Sequence, residues 1–166
     1  MIRNLRDGEH TIGFVEGGTP IPPEQQTLDI GPTAVVHIHQ SLNTLFIWGR
    51  AVVHVHAEVK EIWIWAQAEV HVHAVCAKVY SSEEAVVHCD APGTLVIATH
   101  YTTVHAVKGV RVMGYNEAEI WAPSGLDVTI SGYAKWHTED GKVHGNMDTY
   151  RPGYCIAYRR RYGSER

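Results

Sequence analysis

Aliphatic and polar residues alternate in short bursts along the middle of this chain, and the bursts return at a fixed interval. Ala34-Val-Val-His-Ile-His recurs as Ala51-Val-Val-His-Val-His and as Ala68-Glu-Val-His-Val-His. It weakens to Ala85-Val-Val-His-Cys-Asp and then to Thr102-Thr-Val-His-Ala-Val. The starts at 34, 51, 68, 85 and 102 are each 17 residues apart, with no insertion. Five units in one register are an internal repeat, the signature of stacked, self-similar turns. One further coil is expected at 119–135, where Ile130 keeps the register, and one at 17–33, where Leu28 does.

Aligned on the repeat, three columns are small and aliphatic. They are Val36, Val53, Val70, Val87 and Val104; Ile38, Val55, Val72, Cys89 and Ala106; and Leu45, Ile62, Val79, Val96 and Met113. Between the first two runs an unbroken histidine column: His37, His54, His71, His88 and His105. The column two residues on reads His39, His56 and His73, then Asp90 and Val107. A period of two means strands, with the aliphatic set inward and the histidines outward. The opposite register would bury eight imidazoles with few partners, which costs far too much.

The fold class that follows is all-β: a single-stranded parallel β-helix, or β-solenoid, of 17 residues per coil and about five to seven coils. A βαβ crossover needs roughly 30 residues or more, and leucine-rich repeats carry a leucine signature that is absent. Left-handed β-helices carry a six-residue aliphatic period, only partly present through Val53, Val59 and Trp65. Right-handed winding is therefore expected from the general chirality of crossovers. Open solenoid ends invite polymerisation unless capped. Residues 1–33, broken by Gly17, Gly18, Pro20, Pro22 and Pro23, are expected as an irregular N-terminal cap, and 34–135 as the repeats. Residues 136–166 are expected as a C-terminal cap and basic tail, with Tyr150, Tyr154, Tyr158 and Tyr162 four apart on a strand or a short helix.

Over residues 34–118 the chain resembles, in architecture, the small bacterial β-helix proteins of the bactofilin type, and also the short β-helical structural proteins of phages. The first resemblance implies coils of similar length that stack into filaments. Bactofilin coils are rich in Gly and Ile, whereas these carry histidine ladders and tryptophan, so no functional residue is carried over.

Composition narrows the partners. Residues 1–150 hold 9 Lys/Arg against 17 Asp/Glu, a net of −8, while 151–166 hold five arginines against one glutamate, a net of +4. An acidic body argues against nucleic acid as its partner. No stretch approaches a membrane span, and Met1-Ile-Arg-Asn-Leu-Arg lacks the apolar run of a signal peptide, so a cytoplasmic or virion-associated protein is expected. Cys76, Cys89 and Cys155 are odd in number and lack metal spacing, which fits small apolar fillers in a reducing compartment.

Twelve histidines are the anomaly of the composition. Neutral imidazoles at rung spacing can form a hydrogen-bonded column. They can also bind metal, because His-x-His on a strand places two side chains on one face about 6.8 Å apart. Two adjacent rungs offer four imidazoles for Zn²⁺, Ni²⁺ or Cu²⁺: His37, His39, His54 and His56, or His54, His56, His71 and His73. Glu58, Glu69 or Asp90 are candidate outer-shell partners. A pH switch is the third reading, since charging neighbours about 4.8 Å apart costs about 0.9 kcal/mol per pair in water and about 3.5 kcal/mol at an effective dielectric of 20.

On a second side of the coil Leu45/Ile47 and Ile62/Ile64 point inward, which turns Phe46, Trp48, Trp63, Trp65 and Tyr80 outward. Such a patch is either covered by Ile12, Phe14 and Val15 or forms an interface. The expected function is accordingly a non-enzymatic structural, assembly or interaction protein, self-associating or partner-binding through this aromatic face. Metal binding by the His-x-His ladder is the alternative, and a polysaccharide-binding or -processing role the second alternative. The outer carboxylates Glu58, Glu61, Glu69, Glu83, Glu84 and Asp90 show no recurring pair at glycosidase spacing, and no nucleophile motif is present. Ladder and aromatics coincide in the first three coils, so function is expected between 34 and 84.

Overall fold

The computed structural model describes residues 2–22 and 26–145. In chain order the strands are β1 (Ile2–Leu5), β2 (Glu9–Ile12), β3 (Thr27–Ile30), β4 (Val35–Ile38), β5 (Leu42–Ile47), β6 (Val52–Val55), β7 (Val59–Ile64), β8 (Glu69–Val72) and β9 (Cys76–Ser81). They continue as β10 (Val86–Cys89), β11 (Leu95–Ala98), β12 (Thr103–Ala106), β13 (Arg111–Gly114), β14 (Glu119–Trp121), β15 (Asp127–Ile130), β16 (Lys135–His137) and β17 (Val143–His144). Odd strands from β1 to β15 form one parallel sheet; even strands, with β17 at the edge, form the other. The chain is an all-β parallel solenoid of about 7 turns, with no helix among the described residues.

Alternation sets which side of each strand is inside. Val36, Val53, Val70, Val87 and Val104 on one sheet face Leu45, Ile62, Val79 and Val96 on the other, all fully buried. Each such side chain contributes roughly 1.5–3 kcal/mol of apolar burial. The coil bends at one recurring corner, where Gly49, Ala66, Glu83, His100, Asn116 and Gly132 all have positive φ. The next buried position holds a small residue on most coils, Ala51, Ala68, Ala85 and Ala118 among them, because the tight bend leaves no room for a longer side chain.

The period is not uniform. Val35, Val52, Glu69, Val86 and Thr103 pair in register at 17-residue steps, but Thr103 pairs with Glu119 and Glu119 with Lys135, at 16. One residue is lost between Ala106 and Arg111, since Val96 pairs with Val112 rather than with Met113. Met113 thus leaves the inward column expected for it and faces out, half-buried, beside Ile97. Ile130 likewise pairs with Gly114 in the column of Ile47 and Ile64. At the other end the strands begin well before residue 34: Ile2 pairs with Thr27, and Glu9 with Val35. The extra residues looped out between β2 and β3 hide this first coil from a search for a constant period.

At the C-terminal side β17 turns back and pairs antiparallel with β16. Trp136 is buried there, its indole N–H donating to the Ala122 carbonyl at 3.0 Å. Cys155, the four tyrosines from Tyr150 to Tyr162 and the basic tail lie outside the described residues. Among the described residues no helix is long and apolar enough to cross a membrane.

Candidate metal centre

The histidine ladder stands on the outer face of the even-numbered sheet. β4, β6, β8, β10 and β12 pair residue for residue, so His37, His54, His71, His88 and His105 fall on neighbouring rungs at one position of the pleat. Their rings stack face to face, with centroids 4.7, 4.6, 4.7 and 4.8 Å apart down the column. His39, His56 and His73, just past the strand ends, form a second column at 4.5 and 4.9 Å. Planes in these pairs diverge by only 5–13°. A stack replaces the hydrogen-bonded column expected from the sequence. Imidazole N–H bonds and lone pairs lie in the ring plane, so parallel rings one rung apart cannot point them at each other.

The hydrogen bonds go to carboxylates instead. The next rung of the second column carries Asp90, whose Oδ2 lies 3.0 Å from His73 Nδ1. Glu69 Oε1 lies 2.9 Å from His71 Nε2 and 3.5 Å from His88 Nε2. Glu69 and Asp90, two of the three expected outer-shell residues, are therefore at the ladder; Glu58 joins none of its donor groups. The main column ends in aromatic company, with Trp121 6.3 Å from His105 and His137 4.1 Å beyond Trp121.

Burial lowers the pKa of His54, and charges on His71, His37, His73 and His56 lower it further. His56 is lowered by burial, then by His39, His73 and His37, with Asp90 opposing. His88 is lowered by burial, then by His105 and His71, with Glu69 opposing. All three favour the neutral ring, the form that binds metal.

Donor atoms converge in threes rather than in the expected fours. His37, His39 and His56 bring one donor atom each within 4.8 Å of one another, and so do His54, His71 and His73. The six candidate histidines thus divide into two triads with no member shared. Each proposed tetrad loses one ring to the other triad: His54 from the first, His56 from the second. Three nitrogens about 2.1 Å from a tetrahedral ion lie about 3.4 Å apart, so either set closes on an ion when its rings turn out of the parallel stack. A third group, Glu69, His71 and His88, meets the same distance. His88 was absent from the metal set read from sequence. The signal was Glu69 itself, which stands where other rungs carry Val35, Val52 and Val86. A groove of about 260 Å³ runs beside this end, lined by His71, His73, His88, Asp90, His105 and Trp121 among others.

The aromatic residues are on the other sheet. Phe46, Trp63 and Tyr80 pair in register on β5, β7 and β9, and the Trp63 and Tyr80 rings stack at 4.1 Å. Trp48 and Trp65 lie just past β5 and β7. All five are half-buried. The cover expected from Ile12, Phe14 and Val15 is not formed: Ile12 is buried inside the even-numbered sheet and Phe14 is 83% exposed. Among the described residues Trp48 is engaged from the N-terminal side, donating to Asp29 at 2.6 Å under the Arg6 guanidinium, 4.9 Å from its ring. Cys76 and Cys89 are buried free thiols; burial pushes Cys76 up to about 12 and also raises Cys89, which leaves both unreactive.

Comparison with protein-family models, with curated proteins and with solved structures gives no match.

Proposed function

We propose that this chain is a binding protein for divalent transition-metal ions, which it holds at two three-imidazole sites on one outer face of the solenoid. The supporting observation is the division of six ladder histidines into His37/His39/His56 and His54/His71/His73, each with donor atoms within 4.8 Å. Imidazole sets favour Zn²⁺, Cu²⁺ and Ni²⁺ over Mg²⁺ and Ca²⁺, which want oxygen. Three protein ligands leave a fourth position for water or an exchangeable group. Asp90 supports the second site: with Nδ1–H of His73 donated to the carboxylate, Nε2 keeps its lone pair for the ion.

Calorimetric titration with Zn²⁺, Ni²⁺ and Cu²⁺ tests this. Two ions per chain are expected, falling to one in His37→Ala/His39→Ala. His54→Ala/His56→Ala removes one ligand from each triad, so binding by that variant as tight as the native chain's defeats the proposal.

Assembly through the aromatic face is the second reading. It is supported by the outward Trp63–Tyr80 stack, which no described N-terminal segment covers. An oligomer in solution that dissociates on Trp63→Ala is the expected result, and a strict monomer refutes it.

A further inference from the structure

Glu69 is the ladder's irregularity. At its position on the pleat the adjoining rungs carry Val52 and Val86, so one carboxylate stands between two valines beside the imidazoles. A single oxygen, Oε1, sits 2.9 Å from His71 Nε2 and 3.5 Å from His88 Nε2, and so spans two rungs. His88 belongs to neither imidazole triad, whereas His71 belongs to one of them.

We infer that Glu69, His71 and His88 form a distinct mixed-donor metal site that takes harder ions such as Mn²⁺ or Fe²⁺, and that it excludes an ion from His54/His71/His73 because both need His71. The inference rests on the reading that the ladder binds metal. Two imidazoles and one carboxylate with open positions suit ions that prefer oxygen, whereas three imidazoles suit Zn²⁺, Cu²⁺ and Ni²⁺. The two sites are alternatives because a neutral imidazole has one lone pair. When His71 Nε2–H donates to Glu69, the lone pair is on Nδ1. When the proton is on Nδ1, the Nε2 lone pair points toward Glu69 Oε1 and His88. The identity of the ion thus selects which rungs are used: 54 to 73 for nitrogen-preferring ions, 69 to 88 for oxygen-preferring ones.

The test uses Mn²⁺ followed by electron paramagnetic resonance, with Zn²⁺ as competitor. The native chain is expected to bind one Mn²⁺ and to release it when two equivalents of Zn²⁺ are added. Glu69→Gln and His88→Ala are each expected to weaken Mn²⁺ binding by more than the roughly 10–100-fold that loss of an outer-shell partner costs. Both variants should still take two Zn²⁺, which also shows that they fold. Undiminished Mn²⁺ binding in either variant overturns the inference, as does Mn²⁺ retained beside two Zn²⁺. If the native chain takes two Zn²⁺ and no Mn²⁺, the inference falls and the imidazole sites stand. If it takes neither ion, both fall.

Discussion

His54 and His71, on adjoining rungs of the ladder, stack with ring centroids 4.6 Å apart and planes 13° apart. The contact is favourable only while at least one ring is neutral. Neutral aromatic stacks contribute about 0.5–1.5 kcal/mol beyond area burial, whereas two charged rings at this distance repel by about 0.9–3.6 kcal/mol across the range from water to an effective dielectric of 20.

The chain is therefore expected to melt at lower temperature at pH 5 than at pH 7.5. His54, His56 and His88 have pKa values below the ordinary value near 6.5, from burial first and then from neighbouring imidazoles, with Glu69 and Asp90 opposing at His88 and His56. As pH falls through that value the unfolded chain takes up protons before these folded rings do, so stability falls with pH. Thermal melts at both pH values check this, and added salt should recover part of the loss. An equal or higher melting temperature at pH 5 contradicts it.

His54→Phe separates stacking from coordination. A phenyl ring keeps a flat face toward His37 and His71 but offers no lone pair. Zn²⁺ stoichiometry should drop from two to one by calorimetry, while the melting temperature of the metal-free protein at pH 7.5 stays close to native.

The fold was most readable where identical residues recur. From 34 to 107 the spacing holds without insertion, and alternation alone separates Val53 inside from His54 outside. The first coil was obscured because residues are looped out between β2 and β3, so Ile2 and Glu9 pair 25 and 26 residues ahead. The later coils slipped because one residue is missing before Arg111, which a constant-period reading absorbed by placing Met113 inside. The candidate site was legible in its histidines but not in its grouping. Which ring joins which triad depends on side-chain direction across rungs, and a strand pattern records only the face. His88 was visible as a ladder member, yet its place beside a carboxylate hangs on Glu69, 19 residues earlier on the adjoining rung.

Saturating Zn²⁺ should raise stability as well as bind. An ion that prefers the folded chain adds about 2.7 kcal/mol per site at one hundred times its Kd. Denaturant midpoints with and without Zn²⁺, at unchanged slope, measure it; chelator should reverse the gain. No shift with Zn²⁺ present in that excess contradicts two folded-state sites.

Ile62→Ala probes the core that carries the ladder. Ile62 is fully buried between Leu45 and Val79. Its truncation should cost about 2–5 kcal/mol, read as a lower urea midpoint. Glu61, on the outer side of the same strand, should tolerate alanine within about 0.5 kcal/mol.

Ala66→Gly tests the recurring corner. Ala66 holds φ at 60°, a left-handed conformation that costs an L-residue about 1–2 kcal/mol, while glycine loses about 0.5–1 kcal/mol of its greater freedom on folding. A small net gain, below about 1.5 kcal/mol, is expected in the melting transition.

The change of step from 17 to 16 residues divides the solenoid into two classes of turn that cannot be exchanged. The six-residue strands β5, β7 and β9 and the paired histidines all belong to the larger class. Within it a whole turn such as 51–67 can be copied in place, because every inward and outward column meets its own kind above and below. Each copy lengthens the protein by one rung and adds two imidazoles, so gene duplication confined to this stretch would extend the stacked ladder in whole rungs while leaving both ends of the molecule untouched.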